Sequence, residues 1–156
     1  MTMLNGVLVM AGLLSAGVVY GTDLFFAVVG RTALSRTGEA ALTETMGRIH
    51  EVGDARMPVF GAAALISTLT LIFTTGLGSR ASLFAGLGLV GLALQLMAYL
   101  RVAQPVNRVQ TAAARQGTVP PAARALQTRW DSVIGLRSLG MTLGMTGLGL
   151  CALCIR

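Results

Sequence analysis

Lysine is absent from this chain, histidine occurs once, cysteine twice, and only 12% of the residues are charged. Each shortage removes a class of function. A lone histidine cannot supply a haem-ligating pair, and no second histidine helps to complete the three or four protein ligands that zinc usually needs. Two cysteines leave no further thiol to relay electrons. Aromatic residues make up 5% of the chain and are not interleaved with the arginines, so the net charge of +6 does not describe a nucleic-acid-binding face. Neither a phosphate-cradling glycine loop nor a GxSxG elbow occurs.

What is abundant is apolar: hydrophobic residues make up 54% of the chain and the mean hydropathy is +0.73, values that exclude an ordinary soluble domain. The run from Met3 to Val19 carries no charge, and its apolar character continues to Val29, broken only by Asp23. Pro58 to Leu77 and Ala81 to Leu100 are uncharged, and Val133 to Ile155 carries only Arg137. Runs of this length match the thickness of a bilayer. They predict helices at about 3–29, 58–77, 82–103 and 131–154, forming one all-α domain over residues 1–156, an integral membrane antiparallel four-helix bundle. The N-terminal run has no basic segment before it and is too long for a signal-peptide core, so it is expected to stay as the first helix.

The connections add detail. Between the first two spans, Leu42, Met46, Ile49 and Gly53 recur at helical spacing and predict a short amphipathic helix on the membrane surface. Gly76 to Arg80 is a tight link that makes the second and third spans antiparallel neighbours. Gln104-Pro-Val-Asn-Arg108 should kink or stop the third span, because Pro105 has no backbone donor. Arg31, Arg36, Arg48, Arg56, Arg101, Arg108, Arg115, Arg124 and Arg129 fall on one side of such a bundle, and Arg80 and Arg156 on the other. Arginine-rich loops stay in the cytoplasm, so a multi-pass cell-membrane protein with both termini extracytoplasmic is expected. The GxxxG patterns Gly17-Val-Val-Tyr-Gly21 and Gly140-Met-Thr-Leu-Gly144, with Gly86, Gly88 and Gly91, predict close helix contacts and permit a homo-oligomer.

Ionisable and polar residues inside such spans are costly, which makes them candidates for function. Arg137 shares a helix face with Gly140, Gly144 and Trp130 and should point into the bundle. Asp23, at a similar depth on the first span, is its natural partner, with Tyr20 on the same face. The pair explains itself as a structural ion pair or as part of a site. Gln95 and Tyr99, spaced i, i+4, could bind a ligand or another helix. His50-Glu-Val-Gly-Asp54 holds the only histidine. Its unperturbed pKa near neutrality suits proton transfer, whereas Asp54 could simply cap the second span. No cofactor is predicted. His50 and Asp54, at i, i+4 spacing, leave a metal as the alternative. Cys151-Ala-Leu-Cys154 reads as apolar filler or a local disulfide.

These residues together resemble a known pattern. Four short-looped spans, the Pro-Val-Asn element ending at Asn107, Arg129-Trp130-Asp131 and an arginine seven residues beyond Trp130 are similar to the anthrone oxygenase-like family of small integral membrane proteins, once a domain of unknown function. The resemblance covers nearly the whole chain, and the His50–Asp54 segment is similar to one subgroup. It implies a four-helix membrane fold, with Asn107, Trp130 and Arg137 as shared site residues. In some fungal members it implies oxidation of anthrones to anthraquinones without an evident cofactor.

The expectation is therefore a small membrane enzyme acting on a hydrophobic aromatic or polyketide-like substrate. His50, Asp54, Asn107 and Arg137 would be its catalytic residues. Tyr20, Asp23, Gln95, Tyr99 and Trp130 would bind the substrate. Its partners would be that small molecule and the lipid bilayer, with no nucleic acid. The alternative is a non-catalytic membrane protein that binds, assists transport or assembles with others.

Overall fold

The computed structural model describes residues 2–155, so Arg156 lies outside the described residues. Four helices, each long and apolar enough to cross a membrane, run up and down: α1 (Met3–Ser35), α2 (Glu39–Thr74), α3 (Arg80–Gln116) and α4 (Ala123–Cys154). Each packs on the next, and α4 closes the ring against α1. Large apolar side chains such as Leu14, Val28, Phe73, Leu83 and Leu139 stand exposed around the outside.

Local chemistry sets the ends. Thr2 caps α1 by accepting from the Asn5 N–H at 3.3 Å. Between α2 and α3, Gly76 and Gly78 adopt φ of +86° and +81°, a left-handed conformation that L side chains resist, and Ser79 caps α3 by accepting from the Ser82 N–H. At the other end of the bundle Arg124 closes α1: its guanidinium donates to the carbonyls of Leu34 and Thr37 at 3.1 and 2.6 Å. The Leu34 carbonyl also accepts from the Thr37 N–H and hydroxyl, at 3.2 and 2.8 Å, so Arg124 adds to the capping of this last turn, and a cation there also opposes the helix dipole. Arg124→Ala is therefore expected to destabilise the fold by about 1–2 kcal/mol, read as a lower unfolding midpoint in detergent.

The helices are longer at the arginine-rich end than the apolar runs alone predict. The amphipathic segment of the first loop is not a separate surface helix: it is the first half of α2, continuous through Gly53 and Pro58. Its buried residues Leu42, Met46, Gly47 and His50 pack inward, and a Cβ on Gly47 would strike Ala114 and the Gln110 carbonyl of α3. That backbone contact holds the segment against the bundle. Likewise α3 does not stop at Pro105. A widened π turn, Tyr99–Ala103, precedes the proline, with the Gln104 N–H bonded to the Tyr99 carbonyl, and the helix runs on to Gln116. Such a turn moves the carbonyl that the proline ring would otherwise meet. A second π turn, Phe26–Gly30, carries α1 on to Ser35, and α4 begins at Ala123 rather than near 131.

The tightest contact in the bundle is between α3 and α4. A Cβ on Gly91 would lie 2.5 Å from both the Gly140 carbonyl oxygen and the Gly144 nitrogen, and one on Gly147 would strike the Gly88 backbone. Gly140 and Gly144 thus pack as their spacing predicts. The Gly17–Gly21 pattern does not: Gly21 faces open space and Gly17 only grazes Met145. Away from the arginine-rich end, the core is Ala16, Ala64, Leu71, Ala85, Leu92 and Leu148. A second apolar cluster of Phe26, Leu42, Met46, Ala103, Val106, Trp130 and Ile134 fills the arginine-rich end.

Candidate functional site

Between these two clusters lies a cavity of about 310 Å³. Its walls come from all four helices: Phe26 and Asp23 on α1, His50, Asp54, Met57 and Leu65 on α2, Leu92, Gln95, Tyr99 and Asn107 on α3, and Trp130, Arg137 and Met141 on α4. Its exposed lining residues are Thr22, Ile49, Pro58 and Ala62, so it reaches the outer surface alongside α2. Pro58 and Gly61 help to keep that side open. Pro58 removes one backbone bond from α2, and Gly61 presents no side chain.

Arg137 and Asp23 meet across the bundle, with Arg137 Nη2 donating to Asp23 Oδ1 at 2.6 Å. The relative exposures of 8% and 1% leave little water to stabilise either charge, so each needs the other. The Arg137 guanidinium also lies 5.6 Å from the centre of the Tyr99 ring and 5.7 Å from that of Trp130, within range of cation–π attraction. Gln95 approaches the other Asp23 oxygen at a long 3.5 Å. Arg137 Nε is buried with no hydrogen-bond partner.

A second network surrounds Asp54. The Tyr99 hydroxyl and Asn107 Nδ2 each donate to Asp54 Oδ1 at 2.9 Å, and Trp130 Nε1 donates to Asn107 Oδ1 at 3.0 Å. Asp54 therefore sits in mid-helix as the acceptor that ties α2 to α3, and it does not cap the second span. His50 packs one turn earlier with its ring 5.6 Å from Trp130, whose other neighbour is Phe26 at 5.2 Å, edge to face. Neither nitrogen of the buried His50 imidazole makes a hydrogen bond.

Eight of the nine residues singled out in the sequence thus line one cavity. Tyr20 does not. It packs, half-buried, against the apolar cluster on the far side of the cavity. The sequence reading placed it one turn from Asp23 but had no means of telling which part of the wide α1 face borders empty space. Two residues of this region went unnoticed, Gln110 and Gln127, each 2% exposed. They lie three positions from Asn107 and Trp130 respectively, so helical spacing from those two residues would have found them.

Among the described residues no three of His, Cys, Asp or Glu come together, so His50 and Asp54 have no third ligand of these types. Cys151 and Cys154 are both free thiols, and neither lines the cavity.

Comparison of the chain with protein-family models, with curated proteins and with solved structures finds no match to any of them.

Proposed function

We propose that this chain is a small multi-pass protein of the cell membrane that takes a flat, oxygen-bearing aromatic molecule from the bilayer into its central cavity, and that it oxidises such a molecule in the manner of an anthrone oxygenase. One observation carries the reading. The cavity is mostly apolar, opens alongside α2, and gathers one imidazole, one guanidinium and the rings of Phe26, Tyr99 and Trp130 at one end. Small-molecule sites have this make-up, an apolar wall with a few convergent polar groups. The exposed apolar belt and the one-sided arginines support insertion with the arginine-rich end in the cytoplasm and both termini outside.

In this reading His50 takes a proton from an enolisable ring carbon or a phenol, because Asp54 is already held by Tyr99 and Asn107. Arg137 Nε, buried and unpartnered, donates to the oxyanion that results, an interaction worth most in a dry site. Tyr99 and Trp130 flank the ring, and Asn107 fixes Asp54 and Trp130 in place. Dioxygen is the oxidant: it adds to the carbanion, and loss of water leaves the quinone. No resident cofactor is needed for this balance.

A second reading, a binding or assembly protein without catalysis, is favoured by one feature. Asp23 with Arg137, and Asp54 with its donors, satisfy one another as structural pairs do. One experiment separates the two. Trp130 is the only tryptophan and lines the cavity, so its fluorescence reports binding there. A dihydroxyanthrone is expected to quench it saturably, and Leu65→Phe, which fills the cavity from α2, is expected to weaken binding at least about tenfold. Anthraquinone formation with uptake of dioxygen, lost in His50→Gln, supports the enzyme. Quenching without turnover supports the binder. No quenching, or quenching indifferent to Leu65→Phe, overturns both.

A further inference from the structure

The cavity carries an unbalanced charge. Apart from Tyr99, its ionisable lining groups are Asp23, Asp54, Arg137 and His50. Arg137 is committed to Asp23, and among the described residues no arginine forms an ion pair with Asp54. With the imidazole neutral, two carboxylates face one guanidinium. The cavity thus holds one net negative charge inside a chain whose own net charge is +6. A carboxylate drawn partly out of water is costly unless a counter-charge or several donors answer it. Asp54 has two donors, Tyr99 and Asn107, and both go to Oδ1. Among the described residues Oδ2 accepts no hydrogen bond.

His50 stands one turn before Asp54 on the same face of α2, and both line the cavity. It is 5% exposed, and neither of its ring nitrogens has a hydrogen-bond partner. A neutral imidazole presents one lone pair. Two acceptors with unused capacity therefore stand side by side, and one of them is charged. A metal ion there would need further ligands, and among the described residues no third His, Cys, Asp or Glu joins these two. An ammonium group needs only acceptors for its N–H donors, and it brings the missing charge. The rest of the cavity decides what that group is attached to. Met57, Leu65, Leu92, Leu96 and Met141 make an apolar wall, and the way out lies alongside α2.

We propose that the cavity is a binding site for a lipophilic ammonium ion, which donates its N–H groups to Asp54 Oδ2 and to the His50 imidazole and lays its apolar part along the wall. This site does not rest on the oxidation proposed above. A neutral anthrone leaves the charge of Asp54 unanswered, whereas an arylalkyl amine, protonated at neutral pH, answers it. The arginine-rich exterior repels cations at a distance, so a preference for one arises inside the cavity and not from the surface field.

Two probes of one shape isolate the charge: naphthylmethylammonium and its neutral counterpart naphthylmethanol. Calorimetric titration of the whole chain in uncharged maltoside micelles, with protein-free micelles subtracted, gives both affinities. The native protein is expected to bind the ammonium about tenfold or more tightly than the alcohol, the range of one hydrogen bond to a charged group. Asp54→Asn keeps the shape and loses the charge, and should bring that ratio close to one. His50→Leu removes the second acceptor and should lower the ratio about threefold or more. Tyr99→Phe keeps the charge of Asp54 and takes away one of its donors, so the ratio should hold or rise. Leu65→Phe, which fills the cavity, should weaken both probes. Unchanged Trp130 emission identifies the variants that keep their fold, and if Asp54→Asn is not among them the native ratio and the other three variants still decide. Equal affinities in the native chain, a ratio that survives Asp54→Asn or His50→Leu, or ammonium binding indifferent to Leu65→Phe overturns the proposal. Ammonium binding as stated, in a protein that does not turn over the dihydroxyanthrone, leaves this site standing and removes the enzymatic reading. Turnover without any preference for the ammonium does the reverse.

Discussion

Asp23→Ala is expected to destabilise the bundle by about 3–5 kcal/mol, because it leaves the Arg137 guanidinium buried without its partner. The size of the effect comes from the penalty on the orphaned charge and not from the strength of the pair itself. The double replacement Asp23→Leu with Arg137→Met should therefore recover most of the loss, since two apolar side chains of similar length need no partner in that setting. Arg137→Ala alone should cost less than Asp23→Met, because the smaller side chain leaves room for water beside the carboxylate. Unfolding in detergent, followed by Trp130 emission, measures all of these, and the double-mutant cycle yields the coupling directly. Additive single effects would show that Asp23 and Arg137 act independently. A double variant as stable as the native chain, yet unable to quench with the dihydroxyanthrone, would show that the pair is kept for the ligand.

The second large effect is expected at the α3–α4 contact. Gly91→Ala places a methyl group 2.5 Å from a carbonyl oxygen and a backbone nitrogen of α4, and neither can rotate aside. The helices must separate, and the expected loss is about 3 kcal/mol or more, at the upper end of overpacking effects. Gly147→Ala should behave alike, since its neighbours are again backbone atoms. Gly86→Ala is the control: its Cβ meets nothing within 4 Å, so the better helix propensity of alanine should leave stability unchanged or raise it by up to about 1 kcal/mol. Equal midpoints for the Gly86 and Gly91 variants would mean that the helices do not meet this closely.

The contrast between these glycines shows how far a pattern can be read. Gly140 and Gly144 form the same four-residue spacing as Gly17 and Gly21, yet only the former pair is covered by a neighbouring helix. Spacing puts two glycines on one face but says nothing of what that face meets. The ends of the helices show the same limit. Leu42, Met46 and Ile49 announce a helix by their period, but whether it lies apart or continues into α2 depends on the backbone contact of Gly47 with Gln110 and Ala114, distant in sequence. Pro105 gave a sound local reason to end α3. The π turn before it is a tertiary solution that local rules do not anticipate. That turn also adds a residue to the register, which is what brings Asn107 and Gln110 to face α2 and α4.

The sequence by itself determined the four apolar helices, their antiparallel order and the partnership of Asp23 with Arg137. Those follow from composition and from the cost of an unpaired charge among apolar neighbours, which are properties of the residues alone. Only the tertiary structure decided that Tyr20 stays outside the cavity, that Asp54 is an acceptor shared by Tyr99 and Asn107, and that the buried Gln110 and Gln127 are joined in a file to Asp131. Each of these depends on the rotation of one helix against another. That rotation is set by glycine contacts and widened turns whose partners are far apart in the chain.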